Sequence, residues 1–201
     1  MAMSPQAGRR RPGLMLAAAA VFVALDAGAG AIWSLQGGGP TIGGPFSLVD
    51  GNGHPVTDRD FRGKWLLVYF GYTFCPDVCP TTLNQVAAAV DALGPKGAQL
   101  TPVFITVDPA RDTPAVVKQY AAAFSPRLVG LTGSAEQIAA VAHEYRVYYA
   151  VHRTGTAPGD YTMDHSSLLY LVGPDGRFVA PIRADLSGPE MAAAIARHLP
   201  S

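Results

Sequence analysis

The feature that most constrains this chain is an uninterrupted apolar run that ends just before its only two cysteines. The run, Trp65 to Gly71, is typical of a strand buried on both faces of a sheet. Cys75 and Cys79 follow its carboxyl end, and apolar residues then recur at helical spacing from Thr81 to Leu93. A strand, turn and helix in this order place two thiols at the edge where α/β folds put their ligands.

Strand and helix signals alternate along the rest of the chain. A second apolar run, 100–107, precedes a helix signal in which Thr113 is the cap and Pro114 the first residue. Ser134 opens a further helix with a capping-box pattern, and an apolar hairpin at 167–180 precedes a last helix at 189–198. We therefore predict an α/β fold, namely a thioredoxin-like mixed sheet with helices on both faces.

The N-terminus carries a membrane-targeting pattern. Arg9 to Arg11 precede an apolar segment from Gly13 to Leu35, which reads either as an uncleaved anchor or, over Leu14 to Leu25, as a cleaved signal peptide. Asp26 opposes the anchor, because a mid-membrane carboxylate costs about 2.5–3.5 kcal/mol, but the many apolar side chains around it can offset that cost. We favour the anchor, and under both interpretations the positive flank stays in the cytoplasm.

These signals divide the chain into three parts. Residues 1–36 form the signal-anchor segment, 37–43 a flexible Gly-rich linker, and 44–201 the thioredoxin-like domain. We expect a single-pass protein of the inner (cytoplasmic) membrane whose domain lies on the extracytoplasmic, periplasmic side.

Charge balance argues against a nucleic-acid partner. The chain has 15 basic and 15 acidic residues, and removing the three arginines and one aspartate before residue 37 leaves 12 against 14. A near-neutral, slightly acidic domain has no basic stripe to neutralise phosphates.

The two cysteines allow three kinds of chemistry. A structural disulfide is sterically possible, but a four-residue link closes too small a loop to stabilise the fold much. A redox pair is the second possibility, and the third is a soft chelate for a metal ion. If the turn enters the helix at once, both sulfurs lie on one face, and the positive helix end is expected to lower the pKa of at least one cysteine.

A third ligand would favour the metal. Two cysteines and one imidazole fit low-coordinate copper better than an iron–sulfur cluster or a structural zinc site, both of which take four ligands. The candidate is His165, in the polar segment 160–167, which we interpret as a loop at the edge of the sheet. Spacing alone does not bring it to the sulfurs.

Three motifs carry a family resemblance. They are CPDVCP at 75–80, VDPARDTP at 107–114 and MDHS at 163–166. Together they resemble the Sco/SenC family of copper chaperones, and the resemblance extends from Gly44 to about Leu199. Thioredoxin-type oxidoreductases usually carry two residues between their cysteines, whereas this chain carries three.

The resemblance implies a copper site and a partner. Copper, as Cu(I) and in a second state as Cu(II), would be held by Cys75, Cys79 and His165, and would serve the binuclear copper A centre of cytochrome c oxidase. The implied partners are the copper-bearing oxidase subunit, other copper chaperones, thiol-disulfide reductants and, through the N-terminal helix, the membrane. The alternative is a thiol-disulfide oxidoreductase that reduces the cysteines of the apo-oxidase subunit with the same pair.

Four aspartates in these motifs are candidates for supporting roles. Asp108 and Asp112 could orient the metal loop, which is the segment 73–79 that carries both cysteines, or could contact a partner. Carboxylates at such positions are, however, usually caps and turn formers. Asp77 could accept hydrogen bonds from helix amides, and Asp164 could hydrogen-bond the ring of His165.

Overall fold

The computed structural model describes residues 42–200. Within that range no helix is both long enough and apolar enough to cross a bilayer. The predicted signal-anchor segment, and with it most of the predicted linker, lies outside the described residues.

Seven strands form one mixed sheet in the order β2-β1-β5-β4-β3-β8-β9. β3 pairs in parallel with β4, and β4 with β5, while β8 runs antiparallel to β3. The predicted mixed α/β sheet is therefore confirmed. The strands are β1 (Ser47–Asp50), β2 (Pro55–Thr57), β3 (Trp65–Gly71), β4 (Leu100–Thr106), β5 (Val129–Thr132), β8 (Leu168–Val172) and β9 (Phe178–Arg183).

Three helices start where the sequence predicts, whereas the first begins at Val78, before the predicted Thr81. The hydroxyl of Thr113 accepts a hydrogen bond from the amide of Val116, and Ser134 forms a capping box with Gln137. The last helix begins with a second capping box, from Ser187 to Glu190. The four α-helices of residues 42–200 are α1 (Val78–Ala92), α2 (Pro114–Phe124), α3 (Ala135–Glu144) and α4 (Gly188–Ala196).

Helices cover both faces of the central strands. On one face the ring of Phe104 in β4 packs against Tyr120 of α2, with centroids 5.4 Å apart. On the other face Phe70 of β3 packs against Tyr145 at the end of α3, also at 5.4 Å. Because both faces are covered, every residue of β3 after Trp65 is buried, as the continuous apolar run predicts.

The segment around His165 differs from its prediction as a loop. Tyr161–His165 is a strand, β7, which pairs antiparallel with β6 (Tyr149–Arg153) in a separate two-stranded sheet. The strand is difficult to recognise in the sequence because its outward-facing residues, Thr162 and Asp164, are polar and interrupt the apolar pattern. The inward positions, Tyr161, Met163 and His165, do follow the period of two that marks a half-buried strand.

The burial pattern of β8 yields a stability prediction. Leu169 is fully buried against the central sheet, whereas its neighbour Leu168 is 38% exposed. Leu169→Ala should lower the free energy of unfolding by about 2–5 kcal/mol, because a large-to-small change leaves a cavity in the core. Leu168→Ala, the matched control, should cost less than about 1 kcal/mol. Chemical denaturation of both variants measures the difference, and similar losses would contradict the assigned register.

Candidate metal centre

The turn after β3 places the two cysteines in different environments. The amide of Cys75 donates to the carbonyl of Tyr72 at 3.3 Å, so Cys75 lies in a turn before α1. Helix α1 starts at Val78, and Cys79 is therefore in its first turn, fully buried. Cys75 is only partly buried. The helix thus begins later than a single helical face for both sulfurs would require, yet the two side chains still converge.

A backbone hydrogen bond links the two cysteines. The amide of Cys79 donates to the sulfur of Cys75 at 3.4 Å. This amide is one of the unpaired N–H groups at a helix N-terminus, which favour negative charge at the group they face. The N-terminal end of α1 therefore faces the sulfur of Cys75.

His165 reaches the sulfurs from the end of β7. Its Nε2 lies 3.2 Å from the sulfur of Cys79, and its Nδ1 lies 3.1 Å from the carbonyl oxygen of Ser166. A carbonyl oxygen only accepts, so Nδ1 carries the proton and the lone pair of Nε2 faces Cys79. The ring thus has the neutral tautomer that a metal ligand needs.

The predicted support from Asp164 is wrong. The carbonyl of Ser166 fixes the imidazole instead, because neighbouring residues of a strand point to opposite faces and Asp164 points away from the ring. Asp77, the residue that caps α1, likewise makes no side-chain hydrogen bond to the helix amides.

One ligand atom from each of Cys75, Cys79 and His165 lies within 4.8 Å of the others. Atoms on opposite sides of an ion at typical sulfur distances of about 2.3 Å are about 4.6 Å apart. The three side chains therefore need only small movements to enclose one ion. The sequence-predicted trio is brought together, although 86 residues separate Cys79 from His165.

Burial favours the neutral forms of Cys79 and His165. Desolvation raises the pKa of Cys79 to about 12, and repulsion by Cys75 acts in the same direction. Desolvation also lowers the pKa of His165 from its ordinary value. The lowering expected for at least one cysteine does not occur at Cys79, because desolvation is the largest effect on its pKa. A bound cation would supply the charge that makes the Cys79 thiolate favourable.

Two tyrosines that the sequence analysis did not single out shape the imidazole pocket. Tyr69 and Tyr72 meet the ring of His165 edge to face, with centroids 5.9 and 6.0 Å away. The hydroxyl of Tyr69 also points at the sulfur of Cys79, at 3.8 Å. In the sequence only their position indicates this role, because Tyr69 lies in β3 and Tyr72 directly follows it, just before the cysteines.

Gly71, the last residue of β3, leaves room for the Cys79 sulfur. A Cβ at this position would lie 2.9 Å from that sulfur and 3.1 Å from the ring of Phe104. A glycine inside a strand often marks such a close approach, and this is the signal by which the residue could have been found.

Asp112 holds the metal loop in place. Its carboxylate accepts hydrogen bonds from the amide of Thr73 at 3.0 Å, from the hydroxyl of Thr73 at 2.6 Å and from the hydroxyl of Thr106 at 2.5 Å. Its backbone carbonyl accepts another from Thr132. Burial raises the pKa of this carboxyl above its ordinary value, against the effect of these donors. Asp112 therefore ties the start of the cysteine turn to β4 and β5.

Known proteins are similar to this chain in sequence. The SCO1/SenC family model matches residues 35–200. The chain belongs to the SCO1/SenC family. It is 45% identical over 172 residues to the mitochondrial SCO1 homolog of Mus musculus, a match that covers 82% of this chain and 58% of that protein. It is 48% identical over 154 residues to protein SenC of Rhodobacter capsulatus, covering 76% and 67%.

A solved family structure superposes on the fold. The structure of Bradyrhizobium japonicum ScoI with copper bound has a TM-score of 0.71 and 48% identity, and the match covers 79% of this chain and 99% of that one. The mixed α/β fold is thus the thioredoxin-like fold of the family. The chain spans little more than half the length of the mammalian relative it matches.

The close approach at Gly71 gives a test of the site geometry. Gly71→Ala should lower the free energy of unfolding by about 1–3 kcal/mol, because the added methyl overpacks the space of the Cys79 sulfur. The NMR signals of the His165 ring should shift with it. Gly159→Ala is the control, because a Cβ there meets nothing within 4 Å. Equal stability and unchanged ring signals in both variants would contradict the packing described.

Proposed function

We propose that this chain is a copper-binding chaperone in the assembly of cytochrome c oxidase, which carries copper to the binuclear copper A centre. Cys75, Cys79 and His165 are the proposed ligands. The observation that carries the proposal is the 3.2 Å approach of the His165 Nε2 to the Cys79 sulfur, beside a second cysteine.

The donor set favours copper as the cargo. Two thiolates are soft ligands and select Cu(I), while an imidazole is also a good ligand for Cu(II). Structural zinc takes four ligands, whereas the His, Cys, Asp and Glu side chains of residues 42–200 form one cluster close enough for an ion, with three members. Three family structures, from Bradyrhizobium japonicum, Arabidopsis thaliana and yeast, are described as copper-bound.

The exposure of the ligands suits a carrier. Only Cys79 is fully buried, whereas Cys75 and His165 are partly exposed and line an open cleft with Asp77 and Val78. An acceptor thiolate could approach the ion from that cleft, while the buried Cys79 keeps hold of it. Loading displaces the proton of Cys79, so binding is coupled to proton release.

A thiol-disulfide oxidoreductase is the second candidate, and one observation favours it. Cys75 is partly exposed and receives an amide hydrogen bond, whereas Cys79 is buried with a raised pKa. That asymmetry is what an attacking thiol and a resolving thiol require. The same pair must be reduced to bind Cu(I), so both activities would share one state.

We also propose that the domain is tethered. The apolar segment Gly13 to Leu35 has the length and the flanking arginines of an inner-membrane anchor, and residues 44–201 would then lie on the periplasmic side. Residues 37–43 would act as the flexible joint.

The ligand proposal predicts the effect of removing the imidazole. His165→Ala should weaken copper binding by more than the ~10–100-fold that loss of a supporting partner costs, because a ligand itself is removed. Oxidation of the full chain should still form the Cys75–Cys79 disulfide. The control is His152→Ala, which removes an exposed imidazole from the same hairpin. Competition for Cu(I) with a chromogenic chelator measures the affinities, and equal affinity in the two variants would reject the three-ligand site.

The two candidate functions differ in turnover. As a chaperone, the metal-free protein should not reduce a two-cysteine peptide disulfide faster than the supplied reductant alone. A reductase should do so, and should keep its rate in His165→Ala, because thiol exchange does not use the imidazole. Steady turnover by metal-free protein would favour the reductase.

A further inference from the structure

The β6–β7 hairpin carries His165 but has no hydrogen-bonded place in the main sheet. Its two strands pair only with each other, in a sheet separate from the seven-stranded one. Cys75 and Cys79, in contrast, follow directly from the central strand β3. His165 lies three residues before β8, which pairs with β3, so the chain holds this end of the hairpin near the sulfurs. The orientation of the rest of β7, and with it the exact position of the imidazole, depends on the side-chain contacts between the hairpin and the body of the domain.

Arg111 makes the polar part of those contacts. Its NH1 donates to the carbonyl of Tyr161 at 3.0 Å and to the carbonyl of Gly159 at 3.4 Å, both in the hairpin. Its Nε donates to Asp108 at 2.5 Å, and the hydroxyl of Tyr161 donates to the other oxygen of the same carboxylate at 2.8 Å. One carboxylate thus binds both the arginine and the tyrosine.

Stacking adds a second kind of contact. The guanidinium carbon of Arg111 lies 3.6 Å from the ring centre of Tyr161 and 4.7 Å from that of Phe74. Phe74 immediately precedes Cys75, so the arginine lies between the hairpin and the metal loop. Cation–π contacts are strongest when desolvated, and the side chains of Arg111 and Asp108 are only 16% and 4% exposed.

Strand β7 links the contacts of Tyr161 to the position of His165. Tyr161 and His165 lie on the same face of the strand, four residues and about 13 Å apart. Met163, on that face between them, is buried. Contacts that hold Tyr161 against the body of the domain therefore also restrict the position of His165 relative to Cys79.

We infer that Arg111 is a positioning residue, which clamps the β6–β7 hairpin to the metal loop and so keeps His165 beside Cys79. This inference rests on the proposed function, because it takes His165 as a copper ligand. Asp112, one residue later, fixes the start of the metal loop through Thr73. The short segment 108–112 thus positions both halves of the site.

The planar fork of Arg111 is what the clamp requires. A lysine keeps the charge but has neither the paired geometry nor the flat face for stacking. In the full chain, Arg111→Lys should weaken copper binding about 10–100-fold, as loss of a supporting partner does. Tyr161→Phe, which removes only the hydroxyl to Asp108, should act in the same direction with a smaller loss. Tyr148→Phe is the control, since that tyrosine is 65% exposed.

Two readouts separate positioning from a general structural role. Hydrogen exchange should speed up at the β6 and β7 amides in Arg111→Lys, while β3 and β4 keep their protection. With Cu(II) loaded, the nitrogen hyperfine coupling in electron paramagnetic resonance should weaken. Loss of protection across β3 and β4 as well would overturn the inference, because the predicted opening is confined to the hairpin.

A double-mutant cycle ties the effect to His165. In a His165→Ala background, Arg111→Lys should cause no further loss of copper affinity, because the ligand it positions is absent. Independent, additive losses would overturn the inference and leave the copper site standing. If His165→Ala alone leaves the affinity unchanged, the proposed function itself fails.

Discussion

The contact between the Cys79 sulfur and the His165 Nε2 is the central interaction of the site. It joins two parts of the domain that are held in place by different kinds of interaction. Cys79 is placed by a buried parallel strand and a helix start, where backbone hydrogen bonds leave little freedom. His165 is placed by a hairpin outside the main sheet. The 3.2 Å separation of these two atoms therefore depends on the contacts that hold the hairpin against the rest of the domain.

Burial of this contact explains how the centre can be stable without an ion and still be able to bind one. Without an ion, a neutral imidazole beside a neutral thiol is the arrangement with the lowest desolvation cost, in agreement with the raised pKa of Cys79 and the lowered pKa of His165. In the proposed site, a monovalent copper ion would replace the thiol proton without adding net charge to the buried pair. The partly exposed Cys75 would complete the ligand set from the solvent side.

Local signals allowed most of the fold to be predicted from the sequence. The bounds of β3, the cap at Thr113 and the capping box at Ser134 all depend on residues close in the chain. The convergence of Cys75, Cys79 and His165 was expected only through family resemblance, because no local rule joins residues 86 positions apart. Gly71 and Arg111 were missed for the same reason, since their partners come from other elements. The predicted bond from Asp164 is wrong because residues 161–165 form a strand and not the predicted loop, and side chains alternate between the two faces of a strand.

The proposed carrier function requires a site that binds its ion firmly and still releases it, and the division of the site between the central sheet and the hairpin suits both requirements. If all three ligands lay on the central strands, release would require opening the core, whose residues are almost fully buried. With one ligand on a hairpin held by side chains, a partner can weaken the site by displacing that hairpin alone. The core packing that holds the cysteines then stays intact. The consequence is that copper affinity would depend on residues that never touch the ion, among them Arg111, which contacts both the hairpin through Tyr161 and the metal loop through Phe74.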